Sequence, residues 1–353
     1  MGKCCRLGLL VSLTLLLILL AGCWGGKEQG REKEYQMTFF VMDTFVTVQF
    51  HAAEGKGEAV ISDIQGEMRR LEGILSSHLP QSDVARIDQA AGREPVKVSP
   101  ETLEVLATAL KYAPLTDGAF DITLAPVLRL YNFAPGQERR PTPQELEESL
   151  VLVDWRLLEV DQAERTAFLR KQGMKIDLGG VAKGYIIDAA LELLASHDIR
   201  HGLVNAGGDI RLLGPKLDGS AWRVGIKDPR NPQVATFAIV EATGGAIVTS
   251  GDYERFFMED GIRYHHIIDP ATGLPASAAR SVTVLAPTAE LADLLSTAIF
   301  VLGPERGLAL AESLPDVETI IWTREDEVRW SSGLKRVDGQ KVDYYFLLAN
   351  NGP

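Results

Sequence analysis

The chain has 353 residues, 46% hydrophobic and 24% charged, a balance that allows a substantial folded core and excludes a disordered or fibrous polymer. Its 36 basic residues stand against 48 acidic ones, a formal charge of −12 at pH 7. That balance argues against a nucleic-acid partner and against electrostatic attachment to anionic lipid.

The first residues carry a basic start at Lys3 and Arg6, an apolar run from Leu7 to Leu20, and then Leu20-Ala21-Gly22-Cys23. This resembles the signal and lipobox of bacterial lipoproteins, with residues 1–22 removed and Cys23 lipidated. An uncleaved membrane span is the alternative, for which the apolar run is short. Cleavage would remove Cys4, Cys5, Lys3 and Arg6, leaving one cysteine, no internal disulfide and a still more acidic chain. Residues 23–36, rich in Gly and charge, read as a flexible tether that holds the folded part outside the cytoplasm, anchored to a membrane by lipid.

From Met37 to His51, MTFFVMDTFVTVQFH is rich in β-branched and aromatic residues and predicts a strand interrupted near Asp43. Helical periodicity runs from about Ala59 to Leu75, and the SSHLPQSDVARIDQAAG that follows reads as a polar turn. Leu103, Leu106, Ala107 and Leu110 fall at i, i+3, i+4 and i+7 and predict a helix over 101–113. DGAFDITLAPVLRLYNF opens with a turn and continues as an apolar segment, and the Pro- and Glu-rich APGQERRPTPQELEESL reads as a surface insertion. Beyond residue 150, short strand-like runs alternate with helices at about 181–196 and 288–302. With neither repeat nor linker, the pattern predicts a single α+β domain, 37–347, with a helical insertion.

The stretch KIDLGGVAKG, 175–184, sets Asp177, the paired Gly179 and Gly180, and Lys183 where a strand runs into a helix. Glycines before a helix N-terminus, with a lysine in the first turn, are how backbone amides and a cation meet a phosphate. The spacing nonetheless matches neither GxxxxGK[ST] nor GxGxxG. A lysine at that end works against the helix dipole and needs a negative neighbour; a solvated lysine on a tight turn is the alternative. Asp177 is placed to hydrogen-bond a ring or a ribose. In PTAELADLLSTAIFVLG, Thr288 is an N-cap, and Asp293 and Thr297 share a helix face among apolar neighbours. That pair suits a hard cation such as Mg²⁺, held by few protein oxygens together with substrate phosphates, and an Asp–Thr hydrogen bond is the alternative. RYHHIIDPATGLPAS predicts a strand over 263–268 and a turn at Asp269–Gly273. His265 and His266 then face opposite ways, so at most one lines a given cleft. That one is a candidate general base, against the alternative of a structural strand histidine. NAGGDI, 205–210, adds a glycine-rich strand end with an acid, and TSGDYERFF, 249–257, adds hydroxyls and charges without a definite motif.

Taken in order, MDT, GAFDIT, KIDLGGVAKG, NAGGDI, HHIIDPATG and ADLLSTA resemble the ApbE family of bacterial FAD:protein FMN transferases, over about residues 37 to 347. The resemblance implies a tunnelling-fold-type α+β domain in a periplasmic or surface lipoprotein. It further implies binding of FAD, Mg²⁺-dependent cleavage of its pyrophosphate, and attachment of FMN by a phosphoester to a threonine of an acceptor protein, a flavinylated redox subunit, with AMP leaving. By similarity, Met42, Ala119, Phe120, Asp121, Asp177, Lys183 and Ile267 match FAD-contacting positions. Gly180 through its carbonyl, Asp293, Thr297 and the backbone of Ser296 match the Mg²⁺ positions. His266 matches the catalytic base, and Lys183 would neutralise pyrophosphate charge beside the metal. His78 stands where many relatives carry tyrosine, which puts a stacking contact to the flavin or adenine in question; Gly180 is often alanine elsewhere. Rival readings are an FAD pyrophosphatase, with water in place of the threonine, and an FAD-binding lipoprotein without chemistry.

Overall fold

The computed structural model describes residues 32–231, 233, 235–337 and 344–348. The expected signal segment, Cys23 and the tether up to residue 31 lie outside the described residues. The described chain opens on a hairpin, β1 (Glu32–Val41) and β2 (Thr44–Ala53). The interruption expected near Asp43 is thus a two-residue turn, and residues 32–36, expected in the tether, are the first half of a paired strand. Helix α1 (Gly57–Leu75) buries Val60, Ile61, Ile64, Met68, Leu71 and Leu75, a stripe at helical spacing.

Helix α2 (Asp83–Ala90) occupies a segment that reads as a turn. Ser82 accepts from the Ala85 N–H, and only Val84 and Ile87 are fully buried with it, too few apolar positions to show a period. After β3 (Val96–Lys97), Ser99 caps α3 (Pro100–Leu115), whose first residue is the proline that suits a helix start. Helix α4 (Ala125–Leu128) lies in the apolar segment ahead of the insertion, and the insertion holds α5 (Pro143–Leu150), opened by a reciprocal cap between Thr142 and Glu145. Leu146 packs with Leu124, Val127, Tyr131 and Ile268 in a small core of its own, so the insertion is docked onto the body. β4 (Leu158–Asp161) and β5 (Thr166–Leu169) join β3 in a three-stranded sheet.

The second half runs α6 (Ala182–Ser196), β6 (Gly202–Ala206), β7 (Asp209–Leu213), β8 (Trp222–Lys227), β9 (Thr236–Ala242), β10 (Gly245–Gly251), β11 (Phe256–Glu259), β12 (Ile262–His265) and β13 (Ala279–Ala286). It closes with α7 (Ala289–Ser313), β14 (Glu318–Thr323), β15 (Val328–Trp330), β16 (Leu334–Arg336) and β17 (Tyr344–Leu348). The end expected for α7 at residue 302 is a kink: Gly303 takes φ 77° ahead of Pro304, and the helix resumes beyond it. The strand expected over 263–268 stops at His265, leaving Ile268 in a single bridge to Pro275.

The fold is α+β. An all-antiparallel sheet of eight strands, in the order β1-β2-β6-β7-β10-β13-β14-β15, carries helices on one face and the four-stranded sheet β16-β17-β9-β8 on the other. Period-two alternation fills both interfaces: Val282 and Val284 pack towards the helices, while Leu285 meets Val240 and Phe237 of the second sheet. α7 is apolar over most of its length because it lies buried between layers, not because it faces lipid. Val46 pairs with Ala206 and Ile247 with Ile210, so the β1–β2 turn, the β6–β7 turn and the end of β10 converge at one end of the large sheet.

Candidate active site

A cleft of about 880 Å³ opens at that end, within the range of small-molecule sites. One rim is the β1–β2 turn, where Met42 and Asp43 take φ of 56° and 53°, the left-handed pair of a tight hairpin turn usually made by Asn-Gly. The Met42 N–H donates to Glu72 Oε1 of α1 at 2.8 Å, which fixes this turn against the helix.

The floor is the crossing of α6 and α7, whose first turns touch. A Cβ on Gly184 would lie 2.2 Å from the Ala289 carbonyl oxygen, so only glycine permits the approach. Each helix caps the other. Asp293 of α7 accepts the Gly184 N–H at 3.1 Å, and Asp188 of α6 accepts the N–H groups of Ala289 and Glu290 at 2.9 and 2.8 Å. Val181, at the head of α6, supplies no side-chain cap of its own.

Lys183 does find a negative neighbour, and it belongs to the protein: buried Asp209, from the β6–β7 turn. Removal from water works against the ammonium charge, but Asp209 and then Asp293 outweigh it and hold the lysine above its ordinary pKa. Asp209 also accepts the Thr249 N–H at 3.3 Å. Burial is the main influence on Asp293 and drives its carboxyl well above the usual range, against the pull of Lys183. The Asp293–Thr297 hydrogen bond is not made; among the described residues the Thr297 hydroxyl has no hydrogen-bond partner and lines the cleft. Gly180 presses on it: a Cβ there would sit 3.2 Å from Thr297 Oγ1 and 3.1 Å from the Phe120 ring, so alanine would need one of them to give. A buried, under-compensated carboxylate, a free hydroxyl and an adjacent backbone form a donor set that fits a hard cation asking few protein ligands. Among the described residues no group of three His, Cys, Asp or Glu side chains offers a site for a softer metal. Ser296 stands behind this wall, its hydroxyl bonded to the Asp293 carbonyl at 2.9 Å and to Ser250 Oγ at 2.8 Å.

The GAFDIT and KIDLGG segments run side by side, joined by the Asp177 N–H donating to Ile122 O at 2.8 Å. Asp121 is spent on its own turn: it accepts from the Thr123 N–H and hydroxyl and from the Trp155 N–H, so only its surface, not a free acid, reaches the cleft. Asp177 accepts the Gly179 N–H at 2.9 Å and a long hydroxyl contact from Ser77, and it remains half-buried. His78 is exposed at the rim beside it.

The two histidines part as expected. His265 is buried, its Nε2–H donating to Ala276 O at 2.9 Å, its Nδ1 accepting the Ile267 N–H at 3.3 Å, and its ring set edge-on to Phe300. Both nitrogens are used, and the residue is structural. His266 lines the cleft, with Nδ1 3.3 Å from the Arg255 carbonyl. A carbonyl only accepts, so the proton sits on Nδ1 and Nε2 is left as a base. Loss of surrounding water, then the nearby Arg255 charge, push its pKa down to about 3, so the imidazole is neutral.

Met42, His78, Ala119, Phe120, Asp121, Asp177, Gly180, Lys183, His266, Ile267, Asp293 and Thr297 therefore line a single cleft, while Ser296 does not. Two further cleft residues escape sequence reasoning. Asp209 lies in NAGGDI, where an acid after paired glycines is the only signal, and Arg255 lies in TSGDYERFF, where nothing distinguishes it from a surface arginine.

A family model described as the ApbE family matches residues 42–321. The chain is 34% identical over 351 residues to the FAD:protein FMN transferase of Treponema pallidum, covering 95% of this chain and 96% of that one. It is 34% identical over 311 residues to the FAD:protein FMN transferase of Vibrio cholerae, covering 86% and 90%. Among solved structures, the ApbE protein of Thermotoga maritima superposes with a TM-score of 0.79 at 35% identity, covering 85% of this chain and 97% of that one. The flavin transferase ApbE of Vibrio cholerae gives 0.76 at 31%, covering 85% and 98%.

Proposed function

Because the chain belongs to the ApbE family and is an enzyme of the FAD:protein FMN transferase type, we propose that its cleft holds FAD and moves FMN onto a threonine of an acceptor protein. The observation that carries this reading is the convergence of one neutral base, His266, with the Lys183, Asp293, Thr297 and Gly180 cluster in one cleft. Asp293, Thr297 and the Gly180 carbonyl would hold Mg²⁺, with Ser296 bracing Asp293 from behind. Bound there, the metal would supply neutralisation of phosphate charge. His266 Nε2 takes the proton of the threonine hydroxyl as its oxygen bonds to the flavin-side phosphorus; the phosphoanhydride bond to that phosphorus breaks, and AMP leaves with the bridging oxygen. Little covalent work falls to the protein, whose part is positioning and charge. Lys183, held charged by Asp209, keeps a fixed positive centre at the floor. Met42, Ala119, Phe120, Asp177 and Ile267 would shape the flavin site, and exposed His78 would meet the ring system only from the rim.

Incubation of the chain with FAD, Mg²⁺ and a folded domain bearing a threonine in an exposed loop, read by intact-protein mass spectrometry, tests this. Acceptor mass raised by FMN, with one AMP per transfer, is expected; FMN released free in every case would make the enzyme a hydrolase. Leu20-Ala21-Gly22-Cys23 supports a lipid anchor that keeps the enzyme at a membrane outside the cytoplasm. Cys23→Ala should then leave an unprocessed or membrane-released chain on fractionation, and normal processing with retention at the membrane would remove the anchor from the account.

A further inference from the structure

Among the described residues four cations line the cleft, and three of them are already neutralised. Lys183 pairs with Asp209, Lys227 with Glu254 at 3.1 Å, and Arg129 with Asp88 at 3.1 Å. The fourth, Arg255, is exposed at the cleft, and among the described residues its guanidinium has no carboxylate or hydrogen-bond partner. Its backbone, by contrast, is fixed. The Arg255 carbonyl accepts the His266 N–H at 3.1 Å and lies 3.3 Å from His266 Nδ1, so Arg255 and the base are neighbours at the foot of the β11–β12 hairpin.

Backbone amides do not take over the anion's charge. In the glycine stretch the N–H groups of Gly179, Val181, Ala182 and Gly184 donate to Asp177, to the Leu178 carbonyl twice, and to Asp293. The helix entry that reads as a phosphate cradle is mostly occupied by the protein's own acceptors. A pyrophosphate entering a cleft walled by Asp177, Asp209, Glu254 and Asp293 needs a cation that is not already spent.

We propose that Arg255 is a phosphate-binding residue of this site, its guanidinium pairing with the flavin-side phosphate of FAD beside His266. The inference rests on the reading that the cleft holds FAD. A guanidinium meets two phosphate oxygens at once and keeps its charge at any working pH. Its place next to the base puts it on the phosphorus under attack, not on the departing AMP.

Flavin-fluorescence titrations of the whole chain, with Mg²⁺ present, with riboflavin, FMN and FAD test this on the unmodified protein, Arg255→Gln and Arg255→Lys. Arg255→Gln should weaken FMN and FAD by about tenfold or more, leave riboflavin within about twofold, and be partly restored by Arg255→Lys. FMN and FAD affinities within about twofold of the unmodified protein, or an equal loss for riboflavin, would overturn the assignment. Loss confined to FAD, with FMN unchanged, would overturn the choice of phosphate by moving Arg255 to the AMP side. Failure of the unmodified chain to bind FAD would overturn the reading of the cleft and this inference with it, and that result is visible before any variant is made.

Discussion

His265 and His266 are neighbours of the same chemistry, told apart by what touches their nitrogens. With both nitrogens engaged and its ring against Phe300, His265 serves the fold. His265→Ala should cost about 2 kcal/mol in thermal or urea unfolding and leave transfer intact in the folded fraction. His266→Ala should bind FAD as before and lose about 10² to 10⁴ in FMN transfer. Because its imidazole is held near 3 by loss of water and by Arg255, His266 stays in the basic form from pH 8 down to pH 5. The pH profile of kcat/KM, which reports the free enzyme, should show no inflection near the ordinary histidine value of about 6.5. An inflection there that vanishes in His266→Ala would keep His266 as the base and contradict the lowering of its pKa by burial and Arg255; an unchanged transfer rate in His266→Ala would remove it as the base. The sequence announces that one histidine faces each way, from strand alternation alone, and that Lys183 requires an anion. It hides which anion, since Asp209 is brought to Lys183 only by the pairing of β6 and β7, and it hides Arg255, whose meaning lies in lacking a partner.

Elements with one buried stripe are legible: α1 and α3 fall within two residues of where their periodicity places them. Helix α2 is not, because its stability comes from a Ser82 cap and two contacts rather than from a period. The mutual capping of α6 and α7 is equally hidden, since Asp188 and Asp293 accept from backbone N–H groups about a hundred residues away in the chain. Gly184 shows how tightly that crossing is set. Gly184→Ala places a methyl against the Ala289 backbone, which cannot turn aside as a side chain would, and should cost about 3 kcal/mol or more in unfolding, with Mg²⁺ affinity falling alongside as Asp293 shifts. Gly66→Ala, on the same kind of helix but with open space around the added carbon, is the control and should be neutral or slightly stabilising. Equal effects from the two would remove the close crossing as the cause.

At the scale of the molecule, burial pushes several carboxyls upward among the described residues: Asp88 to about 6, Glu290 to about 7, and Asp293, Asp121 and Asp252 in the same direction. Unfolded carboxyls titrate near about 4, so between about pH 4 and pH 7 these groups bind more protons folded than unfolded and make stability fall as pH rises, while His265 and His266, pushed down by burial to about 4 and about 3, act in the opposite sense below about pH 6.5. Above the histidine range only the carboxyls still titrate, so metal-free protein should melt at a lower temperature at about pH 7.5 than at about pH 6.5. Asp293→Asn should flatten part of that slope and abolish any rise in Tm on adding Mg²⁺ at neutral pH. A Tm that climbs across the same range would show that other groups dominate. The layered body is foreshadowed by strand alternation, but the order of strands is not, because register across the large sheet is decided by residues far apart in the chain.

That order bears on when the molecule can form. β2 ends at Ala53 and its far-side partner β6 begins at Gly202, with helices α1 to α6 and a small sheet between them. At translation speeds of about 5–20 residues per second, the first hairpin waits on the order of ten seconds or more for its neighbour, and the non-local pairing that follows is itself slow. A chain that closes its central sheet so late leaves the inner edge of β2 unpaired through that interval, an open template for any other extended segment that meets it.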